Sequence, residues 1–91
     1  MKTILLFGSE KCPDCAATKE LLEKHQIRYS YIDILDSLGK LKIFLHYRDT
    51  LPEFGPVKEA ASIGIPFLLI NDGEWVALGP PSDSLVAKLK A

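Results

Sequence analysis

The side chains best suited to chemistry in this sequence are two thiols, Cys12 and Cys15, which are its only cysteines. Two residues, Pro13 and Asp14, separate them. Residues three apart on a helix are neighbours, so the second thiol can reach a disulfide that forms at the first. This spacing predicts thiol–disulfide exchange, in which Cys12 attacks a disulfide and Cys15 resolves the mixed disulfide that results.

The segments on either side of the pair are expected to activate Cys12. The apolar run 2–7 predicts a buried strand bounded by Gly8, and a helical pattern begins at Pro13. Pro13 suits the first helical position because its nitrogen has no hydrogen to donate. Cys12 then falls at the N-cap, where free amides and the positive end of the helix dipole favour a thiolate over a thiol.

The residues leave other roles for the cysteines open. A metal or iron–sulfur carrier would use the same thiols, but zinc needs four ligands, and the chain adds only His25 and His46 without finger-like spacing. A cluster shared between two copies would meet that need. A permanent disulfide is disfavoured, because it would close only a one-turn loop and because a reducing compartment opposes it.

Length and composition indicate one domain, residues 1–91. Apolar residues make up 47% of the chain and charged residues 25%, as in ordinary globular proteins. The net charge is −1 with acidic and basic residues interleaved, which argues against nucleic-acid binding. The apolar run near the start is too short for a signal peptide or a membrane span, so we expect a cytoplasmic protein with no membrane partner.

The remaining segments predict the order strand, helix, strand, helix, short helix, strand, strand, helix. Residues 28–33 are rich in strand formers and follow the first helix closely, so the first two strands should be parallel. The turn 71–73, Asn-Asp-Gly, predicts an antiparallel hairpin, and Ser82 is a natural N-cap for the last helix. In the segment running to about Arg48, the apolar spacing predicts one helical face, formed by Ile34, Leu38, Leu41 and Leu45.

With these elements in place, the sequence resembles the glutaredoxin branch of the thioredoxin-fold proteins over nearly its whole length. Residues 12–15, Cys-Pro-Asp-Cys, are similar to that family's dithiol motif, in which proline follows the nucleophile. Residues 64–66, Gly-Ile-Pro, stand where the family has a residue pair and then a cis-proline that faces the cysteines. Residues 80–83, Pro-Pro-Ser-Asp, stand where it has two glycines and a polar pair that opens the last helix.

The resemblance implies a fold and a set of binding residues. The fold is thioredoxin-like and α/β, with a central four-stranded mixed β-sheet flanked by helices. Ile65 would offer its backbone to a substrate peptide or to glutathione, beside a cis Pro66. Ser82 and Asp83 would supply helix-start amides for the γ-glutamyl carboxylate of glutathione. The implied substrate or glutathione contacts are Lys11, Pro13, Ile65, Pro66, Ser82 and Asp83.

Differences from the family's usual pattern predict an altered glutathione groove. Asp14 replaces an aromatic residue, prolines replace the glycines at 80–81, and Lys11 is adjacent to Cys12 instead of further upstream. The segment 34–62 is also longer than in the compact members of the family. We expect that this segment could form a partner-binding surface that the compact members of the family lack.

The sequence therefore predicts a dithiol oxidoreductase that reduces protein disulfides or glutathione mixed disulfides through Cys12 and Cys15. We expect no tightly bound cofactor and no metal. Electrons would come from glutathione or from a thioredoxin-reductase-type enzyme. The alternatives are a metal or iron–sulfur carrier that uses the same cysteines, and a thioredoxin-fold binding module whose working surface is the segment 34–62.

Overall fold

The computed structural model describes residues 2–91, and its elements follow the predicted order. The strands are β1 (Ile4–Gly8), β2 (Ser30–Asp33), β3 (Phe67–Ile70) and β4 (Trp75–Leu78). The α-helices are α1 (Pro13–Lys24), α2 (Leu38–Thr50), α3 (Gly55–Glu59) and α4 (Asp83–Lys90). Single 3-10 turns cover Pro52–Phe54 and Asn71–Gly73.

The strands form one mixed sheet in the order β2-β1-β3-β4. β1 pairs in parallel with β2, while β3 runs antiparallel to both β1 and β4. The parallel first pair and the hairpin are therefore confirmed. The hairpin turn places Asn71, Asp72 and Gly73 at φ values of 49°, 58° and 113°, in the left-handed region that these residue types tolerate best.

Helices cover both faces of the sheet. Successive strand residues point to opposite faces, so each face forms its own core cluster with the helices that cover it. On one face, α1 and α4 pack against the sheet, in a cluster formed by Ile4, Leu6, Leu22, Leu68, Ile70 and Leu89. On the other face lie α2 and the turn at 52–54, in a cluster formed by Phe7, Ile34, Phe44, Phe54, Phe67 and Leu69. The predicted α/β fold, a four-stranded mixed sheet flanked by helices, is confirmed.

The predicted apolar face of α2 is correct only in part: Leu41 packs against the core cluster that contains Phe44 and Phe67, but the other members of that face do not share its position. Leu38 is 78% exposed and Leu45 is 37% exposed, whereas Phe44 is fully buried. The helix begins only at Leu38, with Ser37 as its N-cap, so Ile34 is buried in the preceding loop and does not share the helix face. The spacing of aliphatic residues was misleading because the large phenylalanine ring buries more apolar surface than any leucine of the helix.

The burial of Phe44 and the exposure of Leu38 predict that substitutions at these two positions of α2 change stability by different amounts. Phe44→Ala removes a fully buried ring that contacts other rings, with centroids 6.0 to 6.2 Å away in Phe7, Phe54 and Phe67. We expect the free energy of unfolding to fall by about 3–5 kcal/mol. Leu38→Ala, the control at an exposed site of the same helix, should change it by no more than about 0.5 kcal/mol. Urea denaturation measures both, and equal losses would contradict the observed orientation.

Candidate functional site

Cys12 lies at the N-cap of α1, just after the end of β1. Its backbone is extended, with φ −104° and ψ 113°, and its amide donates to the Ser9 carbonyl at 3.1 Å. The amide of Cys15 donates to Cys12 Sγ at 3.2 Å, so the sulfur stands where a capping oxygen usually does. The predicted N-cap position is confirmed, and an amide directed at the sulfur stabilises negative charge on it.

Cys15 is a buried partner within the first turn of the helix. Its side chain has no exposed surface, whereas Cys12 is partly exposed. Burial, assisted by the hydrogen bond and the charge of Cys12, raises the pKa of the Cys15 thiol to about 12. At neutral pH the pair is therefore unequal, because a reactant from solvent can reach Cys12 while Cys15 is a protonated thiol behind it.

The space around the Cys15 thiol exists because residue 8 has no side chain. A Cβ added to Gly8 would lie 2.9 Å from Cys15 Sγ and 3.3 Å from Cε1 of Tyr31. Tyr31 packs on the α1 face of the sheet, with Lys19 Nζ 4.3 Å above its ring. Its buried hydroxyl has no hydrogen-bond partner within residues 2–91, and burial is the main cause that raises the pKa of Tyr31 to about 12.

The loop before β3 carries the proline that the resemblance placed beside the cysteines. The Ile65–Pro66 peptide bond is cis, and Pro66 is fully buried. The Gly79 amide donates to the Pro66 carbonyl at 2.9 Å. A Cβ on Gly79 would lie only 2.3 Å from Pro66 Cγ, so this contact between the two segments requires glycine.

Arg48 of α2 ties down the start of the same loop. Its Nε donates to the Ile63 carbonyl at 2.8 Å and its Nη2 donates to the Ser62 carbonyl at 2.6 Å. A guanidinium can bind two carbonyls at once because its donors form a rigid fork. No local sequence pattern indicates this role of Arg48, because its partners are 14 and 15 residues away along the chain.

A cavity of about 270 Å³ opens beside the Cys12 thiol. It brings together three of the residues proposed from the sequence, Lys11, Cys12 and Ile65. Leu35 and Ile63, which no sequence motif marks as site residues, also line the cavity and are 61% and 59% exposed. The full lining is Ser9, Lys11, Cys12, Ile34, Leu35, Ile63 and Ile65.

Comparison with known proteins agrees with this geometry. A family model described as Glutaredoxin matches residues 4–73, a span that includes both cysteines and the cis-proline. The chain belongs to the glutaredoxin family. It is also similar to an uncharacterized protein of Haemophilus influenzae, with 37% identity over 76 residues that cover 84% of this chain and 88% of that protein.

The other site residues expected from the resemblance to glutaredoxins lie apart from this cavity. Ser82 caps α4, as predicted, with its hydroxyl accepting from the Leu85 amide at 3.2 Å, and Asp83 opens that helix. Ser82 lines a second cavity of about 300 Å³, together with Trp75 and Lys88. Pro13 begins α1 and is exposed. Their contacts with a substrate or with glutathione stay predictions.

In the described part of this glutaredoxin-family chain, no further metal-binding side chains gather around the two thiols. Within residues 2–91, no three side chains of histidine, cysteine, aspartate or glutamate come close enough together to hold an ion. A metal or iron–sulfur centre at Cys12 and Cys15 would therefore need ligands from outside this part of the chain. Among the same residues, no helix has the length and apolarity needed to cross a membrane.

The raised pKa of Cys15 predicts a pH dependence of stability. The pKa moves from an ordinary 9.0 to about 12, so the folded state holds its proton more tightly than the unfolded state. The resulting stability is complete below about pH 9 and is lost as the pH rises toward 12. Between pH 8 and 11, the free energy of unfolding of the reduced protein should fall more steeply than that of Cys15→Ser, by on the order of 1 to 3 kcal/mol.

Urea denaturation with a phosphine reductant measures this difference. Tyrosine ionisation affects both proteins, and subtracting the two profiles removes it. Parallel profiles would show that the Cys15 proton is held no more tightly in the folded state than in the unfolded state.

The contacts of Arg48 predict a local effect on the loop before β3. Arg48→Gln removes both hydrogen bonds to residues 62 and 63, so amide hydrogen exchange in 60–65 should become faster by about 10-fold or more, the equivalent of about 1.4 kcal/mol. Arg28→Gln changes the other arginine, which is exposed, and should leave that loop unaffected. Unchanged exchange in Arg48→Gln would show that these bonds do not hold the loop.

Proposed function

We propose that this chain is a dithiol thiol–disulfide oxidoreductase that reduces protein disulfides or glutathione mixed disulfides through Cys12 and Cys15. The observation that best supports the proposal is the difference in exposure between the two thiols at the start of α1. Cys12 is partly exposed and receives an amide hydrogen bond, while Cys15 is buried within one turn of it. A reducing cytoplasm is the compartment that suits such a pair, because it keeps both thiols free.

The first step is attack by the Cys12 thiolate on one sulfur of the substrate disulfide. A bond forms between Cys12 Sγ and that sulfur, the substrate S–S bond breaks, and the other substrate sulfur leaves as a thiolate. The amide of Cys15, 3.2 Å from Cys12 Sγ, supports the charge of the attacking sulfur before the bond forms. Exposure decides that Cys12 attacks, because Cys15 has no surface that a substrate can reach.

In the second step, the Cys15 thiol gives its proton to water or to the departed substrate thiolate, and the resulting Cys15 thiolate attacks Cys12 Sγ. The Cys12–Cys15 disulfide forms, the bond between Cys12 Sγ and the substrate breaks, and the substrate sulfur leaves as a thiolate. Two electrons have then passed from the protein dithiol to the substrate. The charge and hydrogen bond of Cys12 are among the causes that raise the Cys15 pKa. A Cys12 sulfur bonded to substrate carries no charge, so the mixed disulfide itself makes Cys15 easier to deprotonate.

The electron source is glutathione or a flavoprotein reductase of the thioredoxin-reductase type. Either would reduce the Cys12–Cys15 disulfide by the same exchange chemistry, with its own thiols becoming oxidised. No tightly bound cofactor is required by this cycle, because both electrons are stored on the two sulfurs.

A single-turnover experiment tests the function without depending on the electron source. The reduced, desalted protein is mixed with a peptide disulfide, and the products are identified by mass. The native protein should release both peptide thiols and end as an internal disulfide, while Cys15→Ser should stop at the mixed disulfide on Cys12. Cys12→Ser should react at least about 100-fold more slowly, because its remaining thiol is buried.

Full activity of Cys12→Ser would overturn the proposal. Visible absorbance in the purified protein that disappears in Cys12→Ser, with no exchange activity, would instead support the metal or iron–sulfur carrier. Turnover with NADPH and either glutathione plus glutathione reductase, or thioredoxin reductase alone, then identifies the reductant.

A further inference from the structure

The cavity beside Cys12 has an apolar lining that the exchange chemistry does not require. Four of its residues are aliphatic, and Lys11 is the only one that carries a charge. Single exposed aliphatic residues are common on protein surfaces and need no explanation. Here Leu35 and Ile63 come from separate loops, are more than half exposed, and border the same opening as the reactive sulfur.

Both loops are held in place by hydrogen bonds. On one side, the Ile34 amide donates to the Gly8 carbonyl at 3.0 Å, and the Leu35 amide donates to Asp33 Oδ1 at 2.9 Å. On the other side, Arg48 binds the Ile63 carbonyl at 2.8 Å. The backbone of both loops is therefore held before any substrate arrives, which reduces the conformational entropy that binding in this cavity would cost.

The position of Cys12 in the lining determines what can occupy the groove. Because Cys12 lines the cavity, we expect a substrate bonded to its sulfur to bring the atoms next to its own sulfur to this cavity. For a protein substrate, these atoms belong to the residues that flank its cysteine. An aliphatic or aromatic side chain at such a position would be removed from water against Ile34, Leu35, Ile63 and Ile65, which is favourable in proportion to the area buried.

Glutathione has much less apolar surface to bury in this groove. Its cysteine is flanked by a γ-glutamyl group and a glycine, so it has no large apolar side chain, and it carries carboxylates at both ends. Within the lining only Lys11 can pair with one of them. The other carboxylate gains nothing from the aliphatic walls, which cannot replace its water. The start of α4, where Ser82 and Asp83 would receive it, does not line this cavity.

We infer that the groove of Ile34, Leu35, Ile63 and Ile65 selects protein disulfides whose cysteine has an apolar neighbour, in preference to glutathione mixed disulfides. The inference rests on the proposed function and names its substrate class. Leu35 and Ile63 are the residues that determine this specificity, since they are the exposed parts of the lining.

Short peptides with one common leaving group test the inference. Their cysteine is joined to thionitrobenzoate, and the flanking residues are Leu-Cys-Ala, Ala-Cys-Leu or Ala-Cys-Ala, with glutathione bearing the same group as a fourth substrate. Cys12 attacks the peptide sulfur, the bond between that sulfur and the reporter breaks, and the coloured thiolate leaves. Rates are divided by those of dithiothreitol with the same peptides, which removes differences in intrinsic reactivity.

The better of the two leucine peptides should react about 10-fold faster or more than both Ala-Cys-Ala and the glutathione derivative. Leu35→Ser and Ile63→Ser should each reduce this preference to within about 3-fold. Leu38→Ser is the matched control, because Leu38 is 78% exposed but does not line the groove, and it should keep the full preference.

The outcomes separate this inference from the function on which it rests. Fast, Cys12-dependent reaction with all substrates within about 2-fold of one another would overturn the inference and leave the function standing. A preference that survives in both Leu35→Ser and Ile63→Ser would overturn the assignment to this groove. No Cys12-dependent reaction with any substrate would overturn the function, and the inference with it.

Discussion

The site depends on a close approach between a strand and a helix that only glycine allows. The Cys15 thiol lies against Gly8 at the end of the central strand, where a Cβ would be 2.9 Å from the sulfur. This contact lets the first turn of α1 sit directly on the sheet. Cys15 becomes buried as a result, and Cys12, at the N-cap just before it, is left at the surface with an amide directed at its sulfur.

The difference between the two thiols follows from that packing. Both residues have the same chemistry in isolation, and burial of one of them makes it a thiol with a pKa of about 12. The other keeps access to solvent and to the free amides of the helix start. A pair with two different environments can carry out two different steps, whereas two equally exposed thiols would compete for the same one.

The second face of the sheet connects the fold to the groove beside Cys12. Phe7, Phe44, Phe54 and Phe67 pack there with ring centroids 5.0 to 6.2 Å apart. This cluster anchors α2, and α2 in turn holds the loop before β3 through Arg48. The backbone of the loop that carries Ile63 is thus connected through Arg48 to a packed core, next to the cavity that Cys12 lines.

Local signals were enough to predict the order of the elements, the N-cap position of Cys12 and the hairpin at 71–73. Those features arise from interactions between residues close in sequence, such as an amide and a cap. The sequence also singled out Cys12 and Cys15 as the candidate redox pair, because a strand end, a proline and two thiols stand next to one another.

Tertiary structure alone decided the rest. It buried Phe44 instead of Leu38, because a helix turns its largest apolar contact area toward the sheet whatever its aliphatic spacing. It brought Arg48 to the loop before β3 and placed Leu35 and Ile63 in the same cavity lining as Cys12. These contacts join segments that are distant along the chain, so their partners become known only when the whole core is packed.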